Sequence, residues 1–163
     1  MTEAFGSGQA RSMGKLVTLE ISPLFSDWAL ADRSALAHFL EVRSFKAGES
    51  IIDRLSNSSE LFIVSSGSVK LSAESHSLEV TAGASFGELS LIHPSKRRVS
   101  AKAITPVETL VITAHHWLEM KQKTPSVAVK LMESILRKLS KEISSFEIPA
   151  RSQWIKSSSS SLI

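Results

Sequence analysis

Between Val42 and Ile112 apolar and polar residues alternate in short runs broken by turn formers, whereas beyond Thr113 the apolar residues recur at three- and four-residue steps. The first pattern belongs to strands, whose successive side chains face opposite ways, and the second to helices. Val42 to Phe45 alternates, Lys46-Ala47-Gly48-Glu49 reads as a turn, Ile51-Ile52 opens a second strand and Leu55 to Ser59 closes a polar loop. Glu60 to Val64 is the most strand-like run, rich in β-branched and aromatic residues, and Ser65-Ser66-Gly67 turns it into Ser68 to Ser72. His76 to Val80 leads to a turn at Ala82-Gly83, and Val99 to Ile104 and Val107 to Ile112 follow on either side of Thr105-Pro106. Many short strands with frequent turns predict a sandwich or barrel.

Helical spacing flanks this region. Ser26 and Asp27 are capping residue types ahead of Leu30, Leu36, Ala37 and Leu40, which predict a short amphipathic helix. Thr113 caps a predicted helix from Ala114 to Lys123, and Thr124-Pro125-Ser126 starts the next. In that last helix Val129, Met132, Leu136, Leu139, Ile143 and Phe146 form a heptad-like seam, which Leu131 and Ile135 widen, and Pro149 is expected to end it. The expected organisation is a flexible segment over 1–14, one folded domain over 15–147 and a flexible, serine-rich tail over 148–163.

Composition narrows the function classes. The 163 residues suffice for one domain, and 42% hydrophobic with 21% charged residues is ordinary for a globular protein. No apolar run is long enough to span a bilayer and the first residues lack a signal-peptide core, so a cytoplasmic location is the default expectation. Without cysteine there is no disulfide, thiolate metal site or thiol nucleophile. The net charge of +3 is dispersed along the chain and makes no case for nucleic acid.

Two stretches carry candidate chemistry. Phe86-Gly87-Glu88-Leu89 joins a glycine, which permits close backbone approach, to a carboxylate opening a short helical turn, and Lys96-Arg97-Arg98 follows. A hydroxyl-accepting acid with cations nearby suits a sugar-phosphate, although a basic run is equally a solvated loop. His115-His116 lacks a ligand spacing for metal, and no nucleophile elbow, Walker loop or paired-carboxylate signature is present, so neither metal nor catalysis is expected.

This order of elements resembles the cyclic nucleotide-binding domain family, found in bacterial catabolite activator-like sensors and in protein kinase A regulatory subunits. The residues that carry the resemblance are Pro23-Leu24-Phe25, Phe45-Lys46-Ala47-Gly48-Glu49, Glu60 to Val64 with Ser66-Gly67, and above all Gly83-Ala84-Ser85-Phe86-Gly87-Glu88-Leu89, within a span from about Ser22 to Phe146. It implies a mainly β fold with flanking helices: an antiparallel β-roll of the jelly-roll type with an N-terminal helix and two C-terminal helices. It also implies a ligand site made by Phe86, Gly87, Glu88, Leu89 and Ser90 with Ser95, Lys96, Arg97, Arg98 and Val99. Glu88 would accept from the ribose 2′-hydroxyl, Gly87, Leu89 and Ser90 would offer backbone, and Val99 would pack near the base.

The phosphate-binding cassette departs from the family's Pro-Arg-Ala-Ala-Thr-Val. Counting back from Val99 puts Ser95 at the arginine position, Lys96 and Arg97 where small residues are usual, and Arg98 where threonine or serine stands. Leu55 stands where the family has glycine. The function implied is a regulatory module, not an enzyme, that senses a cyclic purine nucleotide, cyclic AMP ahead of cyclic GMP, by movement of its last helices. The alternative is a degenerate domain that binds no nucleotide and serves protein interaction or dimerisation. No cofactor is expected; the expected partners are the nucleotide, a second copy through Val129 to Phe146, or another protein, with no DNA-binding domain or membrane segment visible.

Overall fold

Leu61, Phe62, Ile63 and Val64 are all fully buried, which an alternating strand achieves only when both faces of its sheet are covered. In the computed structural model, which describes the backbone of residues 3–158 and the side chains of residues 7–144, that strand lies inside an antiparallel β-roll. One sheet contains β1 (Glu41–Phe45), β3 (Glu60–Ser66), β6 (Ser85–Phe86) and β8 (Val107–Thr113), in the order β1-β8-β3-β6. The other contains β2 (Ser50–Ile52), β4 (Val69–Ala73), β5 (His76–Val80) and β7 (Ser100–Ala103), in the order β2-β7-β4-β5.

Two apolar cores follow from the strand period of two. Phe62 and Val64 of β3 meet Val69, Phe86, Ala101 and Val111 between the sheets. Leu61 and Ile63 point the other way, where Leu110 and Ile112 of β8 join them beneath a layer of helices. Phe62 also stacks on Phe86 at a centroid distance of 5.4 Å, and the same two residues are paired across β3 and β6. The strand that leads into the Phe-Gly-Glu-Leu turn is thereby fixed to the middle of the fold.

The helices are α1 (Glu3–Ile21), α2 (Leu30–Ala37), α3 (Glu88–Ile92), α4 (Ala114–Lys123) and α5 (Pro125–Ser158), with a single 3-10 turn at Pro23–Phe25. Thr113 caps α4 as expected, its hydroxyl accepting from the His116 amide at 3.2 Å. Ser26 and Asp27 do not cap α2; the Ser26 hydroxyl donates back to the Pro23 carbonyl and the carboxylate of Asp27 is taken by Arg137 of α5 at 2.7 Å.

Both ends expected to be flexible are helical where the structure describes them. Residues 3–14 form the first part of α1. Its second half is anchored by fully buried Leu19, and by Lys15, whose ammonium donates to the carbonyls of Leu40 at 2.6 Å and Ala37 at 3.3 Å, at the open end of α2. Partial burial lowers the pKa of that lysine below its ordinary value. Once one turn is held, extending a helix adds a hydrogen bond per residue, which carries it through glycines that read as linker. At the other end α5 runs past Pro149 to Ser158, since proline removes one amide from the ladder without having to terminate it. Residues 159–163 of the expected tail lie outside the described residues.

Helix α5 has two unlike faces. Leu131 and Ile135 are fully buried against the helical core, and between them the indole N–H of Trp28 donates to the Ser134 hydroxyl at 2.9 Å. The heptad seam turns outward instead: Val129, Leu136 and Ile143 are more than half exposed and Met132 is 37% exposed, while Leu139 alone packs at the core's edge. Phe146 lies beyond the described side chains.

Candidate functional site

Gly87 has φ +86°, a left-handed conformation, and directly precedes α3. This turn hands the chain from β6 into α3 and sets Glu88 at the helix start, where it is only 6% exposed. One carboxylate oxygen of Glu88, Oε1, receives the Lys138 ammonium at 2.5 Å; the other, Oε2, is buried without a hydrogen-bond partner. Lys138 comes from α5 and also donates to the Ser85 carbonyl at 2.7 Å. A buried carboxylate oxygen without a donor is costly, and a ligand hydroxyl is the kind of group that satisfies it.

Arg97 is the second buried charge, 3% exposed. Its Nε donates to the Ser58 hydroxyl at 3.0 Å, Nη1 to the Gly87 carbonyl at 2.9 Å and Nη2 to the Glu60 carbonyl at 2.7 Å. One N–H on each terminal nitrogen is left for an anion. Burial pulls the guanidinium below its ordinary pKa, and the carboxylates of Glu60 and Glu88 oppose this. The backbone is clasped as firmly: the Leu55 amide donates to the Arg97 carbonyl at 2.8 Å, and the Arg97 amide to the Ser56 carbonyl at 2.9 Å.

Ser95 is exposed, whereas Arg97 is buried beside the glycine turn; Ala101 on β7 is 1% exposed and Val99 38% exposed. Lys96 and Arg98 are exposed, as a solvated run would be, but Arg97 between them is not.

Phe86 to Ser90 and Ser95 to Val99 all line one cavity of about 630 Å³. Its apolar wall includes Ile52, Leu71, Val80 and Ala101 of the second sheet. Its roof is the last helix, as the family resemblance implies, through Ser134, Arg137, Lys138, Lys141 and Glu142 of α5, none of them among the expected site residues. Their spacing of three and four residues is a signal that was available, since it marks one polar face of the helix.

Leu55 adopts φ +67° and is 62% exposed. A branched residue in the left-handed region costs roughly 1–2 kcal/mol, whereas glycine's extra unfolded-state entropy costs about 0.4–1 kcal/mol. Leu55→Gly is therefore expected to stabilise the protein by about 0.5–1 kcal/mol in denaturant unfolding, the net of these two effects. A loss of stability would mean that the leucine makes contacts worth more than its strain.

A family model for the cyclic nucleotide-binding domain matches residues 42–124. The chain is 27% identical over 124 residues to the cyclic AMP receptor protein of Thermus thermophilus, covering 72% of this chain and 57% of the relative. It is 26% identical over 116 residues to a cyclic nucleotide-gated potassium channel of Rhizobium etli, covering 71% of this chain and 33% of the channel. The chain thus spans between a third and somewhat over half the length of these curated relatives. Among solved structures, the N-terminal domain of a transcriptional regulator from Streptomyces coelicolor superposes with a TM-score of 0.68 at 25% identity, covering 77% of this chain and 94% of that one. The chain belongs to the cyclic nucleotide-binding domain family. Among the described residues no helix is long and apolar enough to cross a membrane.

Proposed function

We propose that this chain is a sensor module for a cyclic purine nucleotide and that α5 reports occupancy. The observation that carries this is the convergence of a buried acid and a buried arginine on one cavity, with the acid's Oε2 unsatisfied and the arginine retaining spare N–H groups. A ribose hydroxyl donates to Glu88 Oε2, and the cyclic phosphate pairs with the Arg97 guanidinium. Cyclic AMP is the first ligand to test, because one relative is by name a cyclic AMP receptor.

Lys138 supplies the link to signalling. It bridges α5 to Glu88 and to the Ser85 carbonyl, so a ligand that engages Glu88 acts on the same contact that holds α5 over the cavity. Calorimetric titration with cyclic AMP and cyclic GMP tests binding, and Glu88→Ala is expected to weaken it about tenfold. In hydrogen exchange, nucleotide is expected to change the protection of residues 134–142 in the wild type and not in Lys138→Gln. No binding at millimolar ligand by folded protein would overturn the sensor reading in favour of a domain that keeps the fold without the ligand.

One observation favours a further assembly. The exposed seam Val129, Met132, Leu136 and Ile143 presents apolar residues at coiled-coil spacing along α5, which fits a second copy of the same helix. Light scattering is expected to give a dimeric mass that Leu136→Glu reduces to a monomer; a monomeric wild type at high concentration counts against this interface.

A further inference from the structure

We infer that the ligand of this cavity carries a second phosphate, as in a linear or cyclic dinucleotide. The inference rests on the nucleotide-sensor reading and deepens it, and its first support is the charge of the walls. Among the described residues six cations line the cavity, Lys96, Arg97, Arg98, Arg137, Lys138 and Lys141, against two carboxylates, Glu88 and Glu142. Three of the six are committed: Arg97 to Ser58 and two backbone carbonyls, Arg137 to Asp27, and Lys138 to Glu88 and Glu142. Lys96, Arg98 and Lys141 have no hydrogen bond or ion pair among the described residues.

A cyclic mononucleotide brings one negative charge, which Arg97 alone suffices to meet. It leaves three unpaired cations around the same mouth, where like charges repel and the field favours a further anion. The cations come from two sides, Lys96 and Arg98 from the loop before β7 and Lys141 from α5, so an anion between them would be gripped by cassette and roof together.

A second observation is independent of charge. Leu78, Leu89 and Val99 also line the cavity and are 63%, 58% and 38% exposed, an uncovered apolar border at its mouth. A second base laid on these side chains would remove that surface from water. The volume of about 630 Å³ lies within the range of roughly 300–1,000 Å³ typical of small-molecule sites.

The test is calorimetric titration of the full chain, near physiological salt, with cyclic AMP, cyclic GMP, cyclic di-AMP, cyclic di-GMP, the linear dinucleotide pApA and inorganic pyrophosphate. At least one two-phosphate nucleotide is expected to bind about tenfold or more tighter than either mononucleotide. The triple variant Lys96→Gln, Arg98→Gln, Lys141→Gln should erase that advantage, lowering dinucleotide affinity by a larger factor than the affinity for either mononucleotide. Which dinucleotide arm responds separates the cyclic from the linear source. Mononucleotides binding as tightly as dinucleotides, a triple variant that keeps the preference, or pyrophosphate binding as tightly as the dinucleotide would each overturn the inference and leave the sensor reading standing. Failure of every nucleotide to bind a folded chain would overturn the sensor reading itself.

Discussion

Arg97→Gln is expected to lower nucleotide affinity at least about a hundredfold, the equivalent of about 3 kcal/mol, because a charge-assisted pairing with phosphate has no neutral substitute. The same variant should lose about 2–3 kcal/mol of stability, since it strips donors from the half-buried carbonyls of Gly87 and Glu60. The two effects separate in Arg97→Lys. Lysine keeps the charge but cannot span Ser58, Gly87 and Glu60 at once, so part of the affinity should return while the stability does not. Titration and denaturant unfolding of both variants check this. A folded Arg97→Gln protein that binds within threefold of wild type would remove Arg97 from the site.

The second large effect is expected at Gly87. A methyl group there would lie 2.6 Å from the Glu60 carbonyl oxygen and 2.7 Å from Arg97 Nη1, on a backbone already at φ +86°. The carbonyl belongs to β3 and cannot swing away as a flexible side chain would, so Gly87→Ala should cost about 2–3 kcal/mol and also displace Arg97, weakening nucleotide binding about tenfold. Gly67→Ala is the control. Its methyl would come within 2.2 Å of the Pro106 carbonyl oxygen, at the turn between β3 and β4 and away from the cavity lining. Comparable loss of stability with unchanged affinity is expected there, and equal loss of affinity in both variants would mean that the Gly87 effect is merely global.

The elements most easily read from the chain are those whose pattern has one physical solution. Glu60 to Val64 could only be a strand covered on both faces, and Thr113 had an amide to cap two residues into a helix. What the sequence leaves open falls where a pattern is degenerate. Shifting β7 by two residues leaves every side chain on the same face, because the strand period is two, so alternation does not distinguish Val99 from Ala101 as the more buried residue. Nor does it say which of Lys96, Arg97 and Arg98 turns inward. Backbone bonds from Arg97 to Leu55 and Ser56 hold Arg97 in place, and they join residues about forty positions apart.

The same holds for α1 and α5. Glycine and serine in the first fourteen residues weaken local helix propensity, and only the docking of Leu19 and Lys15 against α2 and the core makes the helix worth forming. On α5 the heptad seam was visible, but not which way it faced. Leu131, Ser134 and Ile135 take the buried side because they fit Trp28 and the helical core, and this leaves the seam outside and turns Lys138 onto Glu88.

By itself, then, the chain determined short strands flanked by helices, a sandwich or barrel that the family resemblance narrowed to a β-roll, and the Phe-Gly-Glu-Leu turn that sets an acid at a helix start, since alternation, turn glycines and caps act between near neighbours. Tertiary structure alone decided which of three consecutive cations is buried, which residues of α5 roof the cavity and which cations remain unpaired around it. Those are questions of long-range register and of helix rotation about its axis, and local periodicity is indifferent to both.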